Sequence, residues 1–154
     1  MSAALDTPLF DPADYRMCES PGYLLIRARA VLSNGLEQQL AGLDITHAQA
    51  SCLLMLAQNR ARTVTDVGRE MNIDIGSVTR LISRMEKRGL VRRQRSEADR
   101  RIVELVITDQ GHALVAQLPA MICRVLNRHF AGFSPEEVDQ FKDMLLRIIG
   151  NNSG

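Results

Sequence analysis

The chain has no tryptophan, two tyrosines and four phenylalanines, so aromatics make up only 4% of its 154 residues. A single-strand nucleic-acid binder that stacks bases on aromatic platforms is therefore disfavoured. The three cysteines, Cys18, Cys52 and Cys123, are far apart and odd in number. They build neither a disulfide framework nor a zinc knuckle. Five prolines and ten glycines are too few for collagen-like or low-complexity sequence. No run of 18 apolar residues occurs, which excludes a membrane-spanning helix. Met1 to Thr7 lacks the basic start and apolar run of a signal peptide. A protein of a reducing compartment, the cytoplasm, is the expectation. Glycine-rich phosphate loops, His-Glu-x-x-His, Gly-x-Ser-x-Gly and Cys-x-x-Cys are missing as well, so no catalytic residue and no enzyme is expected. His47, His112 and His129 form no ligand pair at helical spacing, and no metal or cofactor is expected.

What the chain does have is apolar residues, 45%, in a length that supports one domain with a real core. Its formal charge of +1 hides an asymmetry. Between Arg80 and Arg101 stand nine basic residues (Arg80, Arg84, Lys87, Arg88, Arg92, Arg93, Arg95, Arg100, Arg101) against Glu86, Glu97 and Asp99. This segment carries +6 and leaves −5 for the remainder. Such a block is an electrostatic footprint for a polyanion, although a solvated surface strip produces the same run.

Periodicity organises the rest. Residues 1–20 read as an arm without sustained period. Leu24, Leu25, Ala28, Leu32, Leu36 and Leu40 recur at helical spacing from Pro21, with Gly42 suited to a left-handed cap. Thr46 with Gln49 forms a capping-box pattern opening a second helix, and Thr63 with Asp66 a similar one opening a short third. Asp74 can cap a fourth helix whose buried face is Val78, Leu81, Ile82 and Met85, stopped by Gly89. The period then changes to that of two short strands, Leu90 to Arg95 and Ile102 to Ile107, around a polar turn. Val103, Leu105 and Ile107 share one strand face. Thr108 starts a long helix, kinked by Pro119, with Leu114, Leu118, Ile122, Val125, Leu126 and Phe130 as its stripe. Ser134-Pro135-Glu136-Glu137 starts the last helix, which carries Val138, Phe141, Leu145 and Ile148 to Gly150. The predicted class is mainly α with a small β-hairpin wing: a winged helix-turn-helix over 46–108, flanked by helices at 21–45 and 109–150.

A helix of this size fits the major groove of duplex DNA. With Val78, Leu81, Ile82 and Met85 inward, Arg80, Arg84 and Lys87 line another face at helical spacing. Ser77 and Thr79 offer hydroxyls to phosphates or bases, Arg80 a fork for a guanine edge, and Arg84 and Lys87 phosphate contacts. At the hairpin tip Arg100 and Arg101 are placed to enter a minor groove, with Asp99 positioned to orient the Arg101 guanidinium. Arg92, Arg93 and Arg95 on the strand edge would add backbone contacts.

The runs Ser77-Val78-Thr79-Arg80-Leu81-Ile82, Met85-Glu86-Lys87-Arg88-Gly89-Leu90-Val91, Asp99-Arg100-Arg101 and Ile107-Thr108-Asp109-Gln110-Gly111 together resemble the multiple-antibiotic-resistance regulator (MarR) family. The resemblance implies a homodimeric repressor on a pseudo-palindromic operator of double-stranded DNA, dimerising through its terminal helices. It places Ser77, Thr79 and Arg80 in the recognition helix and Asp99 and Arg101 in the wing. It also implies a small aromatic or phenolic effector, the inducer, in a crevice between dimer helices and DNA-reading lobe. Tyr23, Arg27, His47 and Met55 are the candidates for that crevice: Arg27 to pair a carboxylate, Met55 for adaptable apolar contact. His47 also reads as an exposed residue of a capping box, and Met55 as core. Peroxide-sensing branches of the family carry a cysteine in the first helix. Cys18 lies near that place, but Gly22 occupies the aligned position and the family's tyrosine pair is missing. Two alternatives remain open at this point: redox sensing through Cys18, and a winged-helix protein-interaction module that has lost DNA binding.

Overall fold

The computed structural model describes residues 8–151. Met1 to Thr7, with the matching part of the 1–20 arm expected above, lie outside the described residues. From Pro8 the arm makes two 3-10 turns, Pro12–Asp14 and Met17–Glu19, before the first helix.

Local side-chain chemistry sets the helix starts. Helix α1 (Pro21–Leu40) begins with the Ser20 hydroxyl accepting from Tyr23 N–H and a proline in its first turn. Helix α2 (His47–Ala57) opens on the Thr46/Gln49 capping box, and α3 (Val64–Met71) on the Thr63/Asp66 box, each with both reciprocal bonds made. Asp74 caps α4 (Ile75–Lys87). Strands β1 (Val91–Arg95) and β2 (Val103–Ile107) pair antiparallel, with Val91 opposite Ile107 and Arg95 opposite Val103. Helices α5 (Asp109–Val115), α6 (Leu118–His129) and α7 (Pro135–Gly150) complete the chain, the last on a full Ser134/Glu137 box.

The buried core joins all but the ends of the chain. Leu40 of α1, Leu53 of α2, Val67 of α3, Val78, Ile82 and Met85 of α4, Leu90 and Leu118 are fully buried. Two close approaches seat the hairpin on this core. A Cβ on Gly111 would stand 2.2 Å from the Leu90 carbonyl oxygen and 2.6 Å from an Ile107 methyl, so only glycine lets α5 start there. The Leu105 N–H donates to the Arg62 carbonyl at 2.7 Å, tying the outer edge of β2 to the segment that leads into α3.

The structure corrects three expectations. Gly42 is not the left-handed residue after α1: a 3-10 turn (Ala41–Leu43) extends the helix, and Asp44 takes the positive φ of 52°. The single kinked helix after Thr108 is two helices. Pro119 lacks the N–H that would bond the Val115 carbonyl, so the ladder ends at Val115 and restarts at Leu118 with proline in the new first turn. On β2 only Leu105 is buried; Ile107 is half-buried and Val103 is 40% exposed, because the strand end outruns the core.

Helix α7 has no buried residue. Phe130 packs edge-on to Phe133 at 5.3 Å and against Phe141 at 6.0 Å, which anchors its start to the end of α6. Beyond that Met144, Leu146, Ile148 and Ile149 are exposed, as are Leu24, Ile26 and Val31 on α1. No single helix among the described residues is long and apolar enough to cross a membrane.

Candidate nucleic-acid interface

Helices α3 and α4 meet through a tight turn in which Asn72 adopts a left-handed conformation, φ 53°. Ile73 N–H returns to the Gly68 carbonyl at 3.1 Å. Gly68 permits this packing, since a Cβ there would lie 3.2 Å from both the Ile73 oxygen and the Ile75 side chain. The turn sends α4 out with one face on the core and the other in solvent. Val78, Leu81, Ile82 and Met85 are buried; Thr79, Arg80, Arg84 and Lys87 are exposed, and Ser77 is half-buried.

The first turn of α4 carries its own hydrogen-bond chain. Asp74 accepts from Ser77 twice, from the backbone N–H at 2.8 Å and from the hydroxyl at 2.6 Å. Arg80 Nη2 in turn donates to Ser77 Oγ at 2.9 Å. These bonds, led by the Ser77 hydroxyl, hold the exposed Asp74 carboxyl below the usual carboxylate range. Thr79 spends its hydroxyl proton on the Ile75 carbonyl at 2.8 Å, leaving the oxygen as an acceptor.

At the far end of α4 two arginines are held by acidic partners. Arg88 reaches back to Asp44, bonding its carbonyl and standing 3.9 Å from its carboxylate. Arg93 on β1 pairs with Glu86 through both guanidinium and backbone N–H. The wing tip is braced internally: Ser96 N–H donates to the Ile102 carbonyl, and Arg95 Nη1 donates to the Arg100 carbonyl at 2.8 Å. Asp99 accepts from the Arg101 backbone N–H at 3.0 Å, shaping the turn rather than gripping the Arg101 guanidinium. Arg80, Arg84, Lys87, Arg100 and Arg101 make no ion pair among the described residues, and all are exposed. The structure thus leaves seven of the nine basic residues without a carboxylate partner among the described residues, and of these Arg80, Arg92 and Arg95 donate to neutral oxygens.

The four effector candidates lie on two helices, two on α1 and two on α2. Tyr23 and Arg27 lie on the N-terminal half of α1. His47 is half-buried between α1 and α2, its Nδ1 3.0 Å from Ser33 Oγ and its backbone N–H on Glu37 at 2.8 Å. Met55 packs against the core. A cavity of about 750 Å³ beside the arm, lined by Leu9, Phe10, Tyr15, Arg16 and Pro21 among others, contains none of the four. Cys18 is exposed in the turn before α1, and Cys123 is exposed on α6. Cys52 is buried, and burial pushes its thiol up to about 12. No group of three or more potential metal-ligating side chains gathers among the described residues.

Sequence reasoning did not single out Glu86, Asp44 or the relay role of Asp74. Asp74 was legible only as a cap, because the bond from Ser77 to Arg80 depends on rotamers.

Comparison with known proteins places this geometry. The MarR family model matches residues 45–103, which run from just before α2 to the first residue of β2. The organic hydroperoxide resistance transcriptional regulator of Bacillus subtilis is 29% identical over 130 residues, 82% of this chain and 85% of that one. Among solved structures, BpsR of Bordetella bronchiseptica, whose DNA binding is regulated by 6-hydroxynicotinic acid, matches with a TM-score of 0.78 and 28% identity over 87% of this chain and 96% of that one. CouR of Rhodococcus jostii RHA1, solved bound to p-coumaroyl-CoA, has a TM-score of 0.79 over 86% of this chain and 94% of its own, and at 24% identity adds the fold. With recognition helix and wing in the expected order and relatives that share most of their length with it, this chain is a DNA-binding transcriptional regulator that resembles the MarR family.

Proposed function

We propose that the chain is a ligand-responsive repressor that binds a pseudo-palindromic operator as a homodimer in the cytoplasm. The observation that carries the DNA-reading part is the set of exposed, unpaired cations on α4 and the wing, Arg80, Arg84, Lys87, Arg100 and Arg101. In this reading Ser77, Thr79 and Arg80 face bases. Arg84, Lys87, Arg95 and Arg100 meet phosphates, and Arg101 enters the minor groove from a turn shaped by Asp99. Arg93 acts mainly through its pair with Glu86.

The homodimer is supported by what a single chain leaves uncovered. Apolar side chains of α1 and α7 stand in solvent, more than an isolated winged helix requires. Pairing the helices of 21–45 and 109–150 with those of a second copy would cover them and set two recognition helices about one DNA turn apart, roughly 34–36 Å. The effector is proposed to be a small aromatic acid, a class to which the 6-hydroxynicotinic acid of the Bordetella relative belongs. Tyr23, Arg27, His47 and Met55 are the residues offered for it, to be tested in the dimer.

Selection from a random duplex pool tests this reading. Enrichment of an inverted repeat, its loss from Arg101→Ala at unchanged melting temperature, and release of the site by an aromatic acid are expected. Ile148→Asp with Ile149→Asp should halve the mass in sedimentation and abolish binding of the full site. Failure to enrich any duplex would instead favour the protein-interaction module.

A further inference from the structure

We infer that Asp74 is a positioning residue for base reading: through the Ser77 hydroxyl it presets the Arg80 guanidinium at the first turn of α4 for a guanine edge. The inference rests on the proposed role of Arg80 and goes beyond it by assigning what holds Arg80 before DNA arrives.

Proton bookkeeping carries the case. Asp74 Oδ1 takes the Ser77 backbone N–H at 2.8 Å, the bond that caps the helix. Asp74 Oδ2 takes the Ser77 hydroxyl proton at 2.6 Å. A hydroxyl has one proton, so the Ser77 oxygen then presents only lone pairs, and Arg80 Nη2 donates into them at 2.9 Å. The carboxylate therefore decides the polarity of the relay. An ionised Asp can only accept, which leaves Ser77 no choice but to face Arg80 as an acceptor.

Space points the same way. The guanidinium folds back over Gly76, with Nη1 3.6 Å from where a Cβ on that residue would sit. Only one of the five guanidinium protons is used on Ser77, so the others remain for O6 and N7 of guanine. Neither Arg80 nor Asp74 has any other side-chain partner among the described residues. A negative charge at this end of α4 opposes phosphate, and Asn or Ser would cap the helix as well. The carboxylate is accounted for by orientation, not by affinity.

The test is Asp74→Asn, which keeps the cap but places an amide donor against the hydroxyl and removes one negative charge. Base preference is read by competition between the selected operator and versions changed at each base pair, with Ser77→Ala and Arg80→Ala in parallel. Ser77→Ala leaves the Asp74 cap bond in place and so covers the case in which Asp74→Asn fails to fold. Expected is a loss of preference, about tenfold, at the one base pair that Arg80→Ala also loses. Asp74→Asn with Arg80→Ala should lose no more than Arg80→Ala alone. Affinity of Asp74→Asn for unrelated duplex should rise, not fall, since a repelling charge is gone. A wild-type preference profile in Asp74→Asn and Ser77→Ala overturns the relay while leaving DNA binding standing. A uniform loss across all sequences overturns it too, as the mark of a lost phosphate contact. A wild-type chain that selects no duplex fails the DNA-reading proposal itself.

Discussion

Glu86, near the end of α4, holds Arg93 of β1 with both carboxylate oxygens: Oε1 accepts the Arg93 backbone N–H at 3.1 Å and Oε2 its guanidinium. One residue thus ties the recognition helix to the wing strand, and the angle between the two DNA-reading pieces is set by a side chain that need not touch DNA. The pair is about one-third exposed on each side, so its value is geometric more than energetic.

The first prediction follows from that neutralisation. An arginine already paired releases few counterions when DNA binds. Arg93→Ala should leave the slope of log affinity against log salt nearly unchanged, whereas Arg84→Ala should make it shallower by slightly less than one unit. Fluorescence titrations between low and moderate salt decide the point. Equal slope changes for the two variants would mean that Arg93 leaves Glu86 in the complex.

Gly111 yields a stability prediction that has nothing to do with DNA. A methyl group added there would meet the Leu90 carbonyl oxygen at 2.2 Å, and backbone cannot swing away as a side chain can. Gly111→Ala should cost about 3 kcal/mol, a fall in melting temperature of roughly 6–12 °C for a chain of this size. Gly42 has nothing within 4 Å and an ordinary φ, so Gly42→Ala serves as the neutral control. Comparable melting of the two variants would show that α5 moves freely on the hairpin.

These two sites mark what a sequence reveals and what it hides. Thr46 with Gln49, Thr63 with Asp66 and Ser134 with Glu137 were legible because a capping box joins neighbours three residues apart. The buried face of α4 was legible because Val78, Leu81, Ile82 and Met85 repeat with the helix period. The bond between Asp44 and Arg88 spans 44 positions and leaves no local trace. Asp44 rather than Gly42 takes the left-handed conformation because a 3-10 turn carries the chain two residues past the expected stop. Availability was hidden as well: nine basic residues look alike in the sequence, and only folding shows that Arg88 and Arg93 are engaged by carboxylates. The apolar stripe of α7 was legible from its period, but periodicity does not say which chain supplies the other side.

Acid should weaken the chain in part through Asp66. Its carboxyl is held below the usual range, first by the backbone N–H of Arg62 at 3.0 Å and further by Thr63 and Arg69. A lowered native pKa means stability that is present above the unfolded-state value, about pH 4, and is lost as pH falls through the native one. Asp66→Asn can still accept both backbone bonds but has no charge to lose. It should be less stable than wild type by about 1 kcal/mol at pH 7, with a smaller gap at about pH 2. Urea unfolding at the two pH values measures this, and a constant gap would assign the cost to packing.

Thiol chemistry separates the three cysteines by burial. Cys52 is fully enclosed among core residues, and its thiol, pushed up to about 12, stays protonated and shielded in neutral solution. Cys18 and Cys123 are exposed. A disulfide reagent at about pH 8 should therefore label Cys18 and Cys123 in the native chain, with Cys52 following only in denaturant. Cys18→Ser should remove one rapidly reacting equivalent. If the proposed dimer covers Cys123, dilution or the Ile148→Asp with Ile149→Asp variant should restore its reactivity while leaving Cys52 silent. Rapid native labelling of Cys52 would mean that α2 opens well below the global unfolding free energy, and mass spectrometry of the labelled peptides identifies which thiol has reacted.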